Sequence, residues 1–226
     1  MEATTTTTLR FAVLLTTANG FLDAYTYITR GHVFANVQTG NVILFAIDLS
    51  HRSWGSTLGH LWPILAFLVG VLLSAHIRSG RLERLVTYPM RWTMGIQALA
   101  FATVGFVPTT VPNSFVTIPI SFLAAMQCTL FRSIGDLTYI SVATTGNLMR
   151  VMEAGYSVLV EKDDAARVAF RVYAALTATF ASGAVLGALA SLYWGIHAVW
   201  VAAAFLSVTL VFFIIDERQG RGVKEP

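Results

Sequence analysis

The sequence predicts an all-α, polytopic membrane protein with two interrupted helices, and three observations predict it. Hydrophobic residues make up 55% of the chain and charged residues 12%. That is about half the charged share of an ordinary soluble domain, too little to cover a water-facing surface. The apolar residues fall in runs long enough for helices of roughly 17–25 residues, the length that crosses a hydrocarbon core. A single polar triplet, Thr-Gly-Asn, breaks apolar sequence twice, at Thr39-Gly40-Asn41 and Thr145-Gly146-Asn147.

In chain order, six spans are expected at Leu9–Ile28, Leu58–Ile77, Trp92–Pro108, Asn113–Phe131, Val168–Leu192 and Gly195–Ile215. Two further segments, Asn41–Leu49 and Asn147–Val160, are apolar on average but awkward as spans. The first is too short to cross, and the second carries Arg150 and Glu153, so both are expected as half-helices. Charge placement supports this count. Arg78, Arg81, Arg84 and Arg91 form the richest basic loop, which belongs in the cytoplasm. With six spans both termini are then cytoplasmic, together with Arg10, Lys162, Arg167, Arg171, Arg218, Arg221 and Lys224. Eight spans would move the Lys162–Arg171 cluster outside. Met1–Thr8 is polar without a basic start, so no cleavable signal peptide is expected.

The two halves also match beyond the triplet. Gly20–Asn41 aligns with Met126–Asn147 without a gap, and Phe67, Gly70 and Ser74 match Phe180, Gly183 and Gly187. This predicts an internal duplication, with a first repeat over residues 1–108 and a second over 109–226. Three spans per half is an odd number, so the second repeat enters the membrane from the opposite face. Such 3+3 inverted repeats with broken helices are a recurrent transporter design, with the solute near the midplane.

Non-helical backbone at membrane depth survives only where protein buries it or water reaches it. Gly40 and Gly146 are expected to permit the turn, Thr39 and Thr145 to cap the helix that follows, and Asn41 and Asn147 to satisfy freed backbone groups. Two helix starts entering from opposite faces would offer N–H groups and partial positive charge to a small solute or ion, an anion among the candidates. The competing reading is that each triplet only caps packed helices.

Asp23 lies inside the first span, where a charge is costly. It reads as a proton, cation or substrate site, or else as a structural partner of Arg132 or Arg150. Gln127 sits where the repeat places Phe21, and could line the cavity or bond a neighbouring helix. Arg132 and Asp136 end the fourth span at the interface. Arg150 and Glu153, three apart, can pair along one helix face. Asp48 is expected near water at the end of the first half-helix. Gly70-x-x-x-Ser74 and Gly183-x-x-x-Gly187 should seat the second and fifth spans against neighbours. Trp54, Tyr88, Trp92, Tyr193 and Trp194 read as interface anchors.

GFLDAY (Gly20–Tyr25), FANVQTGN (Phe34–Asn41) and AAMQCTLFR followed by TTGNL (within Ala124–Leu148) resemble the YoaK family of small multi-span membrane proteins of unknown function. The resemblance covers nearly the whole chain. It implies a membrane location and the paired Thr-Gly segments, but no substrate. Cys128 departs from the Asn common after Gln127 in that family. As the single cysteine it excludes an internal disulfide, and it reads as a small buried residue.

The function expected is a secondary transporter with a site at Thr39, Gly40, Asn41, Thr145, Gly146, Asn147, Asp23 and Gln127. A passive channel or a non-transporting scaffold are the alternatives. No catalytic, phosphate-loop or dinucleotide signature is present, and His32, His51, His60, His76 and His197 lack ligand spacing. No enzyme activity, cofactor or metal is therefore expected. The expected partners are the lipid bilayer and a small solute or ion, with a homo-oligomer left open. The basic residues form no patch, so nucleic acid is not among them. The expected location is the cell (inner) membrane.

Overall fold

The computed structural model describes residues 6–79, 88–131, 133–134, 137–142 and 144–219. Arg132 and Asp136, and the basic loop's Arg81, Glu83 and Arg84, lie outside the described residues, as do Arg221 and Lys224. Among the described residues the elements are helices apart from three two-residue strands: β1 (Thr6–Thr7), β2 (Ser133–Ile134) and β3 (Leu137–Thr138). β2 pairs parallel with β1 and antiparallel with β3, tying the start of the chain to the segment before the second half-helix.

The helices are α1 (Leu9–Thr29), α2 (Gln38–Ser50), α3 (Trp54–Arg78), α4 (Pro89–Val104), α5 (Ser114–Leu130), α6 (Thr144–Leu159), α7 (Ala166–Trp194) and α8 (Val199–Arg218). Trp54–Arg78 (25 residues) and the continuous helical run Ala166–Arg218 (53 residues) are long and apolar enough to cross a membrane, and Ser114–Leu130 is apolar but shorter. The long run breaks at Gly195, where φ is +54°, a region that glycine enters without steric cost. A short 3-10 helix, Gly195–Ala198, follows before α8. The last expected span, Gly195–Ile215, therefore opens on this turn.

The lipid-type character lies outward. Leu72, Leu99, Leu192 and Val69 are each more than half exposed. The anchor aromatics Trp54, Tyr88, Trp92, Tyr193 and Trp194 are exposed too. The buried core is built by α1, α4, α5 and α8, around Phe11, Phe131 and Phe213, whose ring centroids lie 5.0–5.9 Å apart.

Glycines set the closest helix contacts. Gly183 and Gly187 of α7 lie against the backbone of Thr17 and Phe21 in α1, and Gly20 lies against Phe180 and Ala184. The hydroxyl of Tyr25 donates to the Ile196 carbonyl at 3.0 Å. The pairings 17 with 183, 21 with 187 and 25 with 196 rise together, so α1 and α7 run parallel. Gly70 of α3 meets Phe122 and Ala125 of α5. The small-residue pairs thus seat α3 and α7 against neighbours, as their spacing predicts. α2 packs on α3, α6 on α7, α4 on α8 and on α5, and α1 on α8.

Candidate functional site

Between α1 and α2 the chain turns at Gly31 and His32, with φ of +78° and +58°. The segment that follows is buried at Val33, Ala35 and Asn36, so its backbone needs partners inside the protein. Side chains supply them. Asp23 accepts the N–H groups of Asn36 at 2.9 Å and Val37 at 3.3 Å through Oδ1. Thr26 accepts the Ala35 N–H, while Ser121 of α5 and Gln38 donate to the Ala35 carbonyl. Asn41 takes the Phe34 N–H at 2.9 Å and donates to the Phe34 carbonyl at 2.5 Å and to Gln38 at 2.9 Å. In the second half Asn147 donates to the Ile140 carbonyl, also seven residues back, at 3.3 Å.

This corrects the expected role of the triplets. α2 begins at Gln38 and α6 at Thr144, so Thr39, Gly40, Thr145 and Gly146 already lie in the first helical turn. Val37 is the N-cap of α2 and makes no side-chain cap bond, so Thr39 does not cap. The turn is made upstream at Gly31 and His32 instead. Gly40 is needed for room, because a Cβ there would meet the Phe34 ring, whereas at Gly146 a Cβ would meet nothing within 4 Å. The two asparagines do satisfy freed backbone groups.

A cavity of about 740 Å³ lies beside these elements. Both halves line it with positions the sequence alignment equates: Phe34 with Ile140, Asn36 with Val142, Gln38 with Thr144, Thr39 with Thr145, and Phe67 with Phe180. Asp23, Ala24, Tyr27, Ile28, Val37 and Ala184 complete the wall. The structure thus brings Thr39, Thr145 and Asp23 to one cavity. Asn41, Asn147, Gly40 and Gly146 are not among the residues that line it. Gln127 is fully buried with no partner for its amide among the described residues, and it does not line this cavity.

Among the described residues Asp23 is the single charged one in the lining. It is 4% exposed, and its Oδ2 has no partner among the described residues. Asn36 Oδ1 and Thr144 Oγ1, also in the wall, are likewise unpartnered. The Asn36 amide is oriented by its donation to the Asn19 carbonyl at 3.0 Å, which leaves the oxygen free. One carboxylate oxygen and one amide oxygen without donors among the described residues suit a ligand that brings donors. Among the described residues the wall holds no basic side chain.

Of the two expected partners of Asp23, Arg132 lies outside the described residues and Arg150 is engaged elsewhere. The Arg150 guanidinium donates to the Thr138 carbonyl and stands 5.3 Å over the Tyr173 ring, rather than pairing with Asp23 or Glu153. Asp48 stands near the end of α2 with its side chain a quarter exposed, and it also pairs with His60 of α3 at 3.2 Å. Cys128 is buried and contacts Ser141. Sequence reasoning passed over Asn36 and Tyr27, which have no repeat or charge to mark them. It read Phe67 and Phe180 only as repeat matches in the packing stripe, although that symmetry is what places both on one cavity.

The chain matches the DUF1275 family, described as a protein of unknown function, over residues 11–212. The chain belongs to this family. Among curated proteins, this DUF1275 member is similar to the UPF0700 transmembrane protein YoaK of Bacillus subtilis (strain 168), with 26% identity over 196 residues, covering 84% of this chain and 81% of that one. No solved structure matches it. With its outward apolar helices, the DUF1275 chain is an integral membrane protein.

Proposed function

We propose that this protein is a membrane carrier for a small solute bearing hydrogen-bond donors, with an ammonium group as the best fit, and that the solute binds between two inverted repeats. The observation that carries the reading is the cavity of about 740 Å³, whose wall pairs equivalent residues of both halves with Asp23. An ammonium group would pair with the Asp23 carboxylate and use the Asn36 and Thr144 oxygens, while Phe34, Phe67 and Phe180 cover its apolar body.

The contacts support duplication. Exchanging α1 with α5, α2 with α6, α3 with α7 and α4 with α8 turns each major contact into another. The α1 contact with α7 becomes that of α5 with α3, α2 on α3 becomes α6 on α7, and α1 on α8 becomes α5 on α4. Inversion is supported by direction. In the proposed topology α1 crosses outward and α3 returns. A repeat in the same orientation would make α7, the copy of α3, antiparallel to α1, yet the two run parallel. Rocking one repeat against the other would expose the cavity to each face in turn.

The test is uptake into proteoliposomes of a panel of small amines, amino acids and anions. Asp23→Asn keeps an oxygen for the Asn36 and Val37 amides but removes the charge. Saturable amine uptake that falls at least about tenfold in this variant is expected, the range of one lost charged hydrogen bond. Uptake unaffected by Asp23→Asn, or saturable uptake of anions alone, would defeat the assignment.

A further inference from the structure

We infer that a second site, separate from the cavity at Asp23, binds a small oxyanion at Arg30, at the end where α1 stops and α5 starts. Arg30 is fully buried. Its Nε donates to the Tyr25 hydroxyl at 3.3 Å, and one terminal nitrogen donates to the Val104 and Val107 carbonyls at 3.3 and 2.9 Å. The other terminal nitrogen, Nη1, has no partner among the described residues. No carboxylate pairs with this guanidinium among the described residues. The carbonyls at the end of α4 offset part of the charge. A buried cation with a spare donor and no counter-ion remains costly.

Arg30 lines a pocket of about 300 Å³ with Asn113, Ser114 and Thr117. Thr117 is 1% exposed and its hydroxyl is unpartnered as well. The first amides of α5 are already turned onto Pro112 and Asn113, so this helix end adds its partial positive charge rather than free N–H groups. The volume equals that of about ten liquid waters, enough for a phosphate or carboxylate group with some hydration. The two N–H groups on Nη1 are the donors left for such an oxygen, and a hydrogen bond from a charged group is among the stronger ones. The anion is either free or the phosphate of a lipid headgroup. This site does not depend on the carrier reading.

The experiment is thermal unfolding of the full chain in a maltoside detergent at constant ionic strength. Inorganic phosphate replaces chloride in one series, and a soluble short-chain phosphatidylglycerol is titrated in another. A saturable rise of several degrees in the midpoint is expected in at least one series. Phosphate acting alone identifies a free anion, and the lipid acting alone identifies a headgroup. Thr117→Val keeps the shape and removes the hydroxyl, and should raise the half-saturating concentration about threefold to tenfold. Arg30→Lys, if it folds, should abolish saturation. No saturable shift in either series, or half-saturation unchanged by Thr117→Val, would overturn the site.

Discussion

Asn41 and Asn147 occupy equivalent positions but carry unequal loads. Asn41 makes three hydrogen bonds, two of them to the backbone of Phe34, and Asn147 makes one, to Ile140. Replacing Asn41 by Ala should therefore cost roughly 2–3 kcal/mol, and Asn147→Ala about 1 kcal/mol. Chemical unfolding in detergent measures both, and equal losses would contradict the geometry. Asp23 holds two loop amides with one oxygen while the other has no hydrogen-bond partner among the described residues. Asp23→Leu should then destabilise by about 2–4 kcal/mol, since both amides lose their acceptor, whereas Asp23→Asn should cost less than half of that. The sequence marked Asp23 because a charge inside an apolar run needs a reason. It did not mark Arg30, which stands at a span end, where basic residues are ordinary. Only burial distinguishes it.

At the scale of elements, the helices were legible because apolar runs and small-residue spacing report lipid length and close contact directly. α1, α3, α5 and α7 begin or end within a few residues of the expected bounds. The half-helix starts were less legible. Thr-Gly reads as a break, but the chain spends its turn at Gly31 and His32, so the triplet is free to wind into the helix. Glycine substitutions should separate the two roles. Gly183→Val forces two branches into the α1 backbone at Thr17, and should lower stability by about 3 kcal/mol or more. Gly146→Ala meets open space and should be neutral or raise stability by up to about 1 kcal/mol. Gly40→Ala, facing the Phe34 ring, should destabilise. Midpoints from one thermal series would rank all three.

For the whole molecule, the proposed topology puts the α2–α3 turn and the α6–α7 turn on opposite faces of the bilayer. Cysteines placed at Arg52 and Lys162, in a Cys128→Ser background, should react with an impermeant maleimide from opposite sides of oriented vesicles. Reaction of both from one side would end the inverted arrangement. Cys128 is buried, so its replacement leaves the labelled surfaces alone. The six-span count rests on charge asymmetry and hydropathy, which record how a chain inserts. How the halves then nestle together is recorded only in the three-dimensional contacts.

At one end of the bundle, Thr8 and Arg10 both reach Asp216 near the close of α8, and Arg91 holds Glu217 at 2.5 Å. The first helix is therefore stapled to the last. A short linker joining these neighbours, with the chain reopened in the segment between α4 and α5, would yield a circular permutant that synthesises the halves in reversed order while keeping every interhelical contact. Such a permutant separates the order of insertion from the architecture that insertion produces.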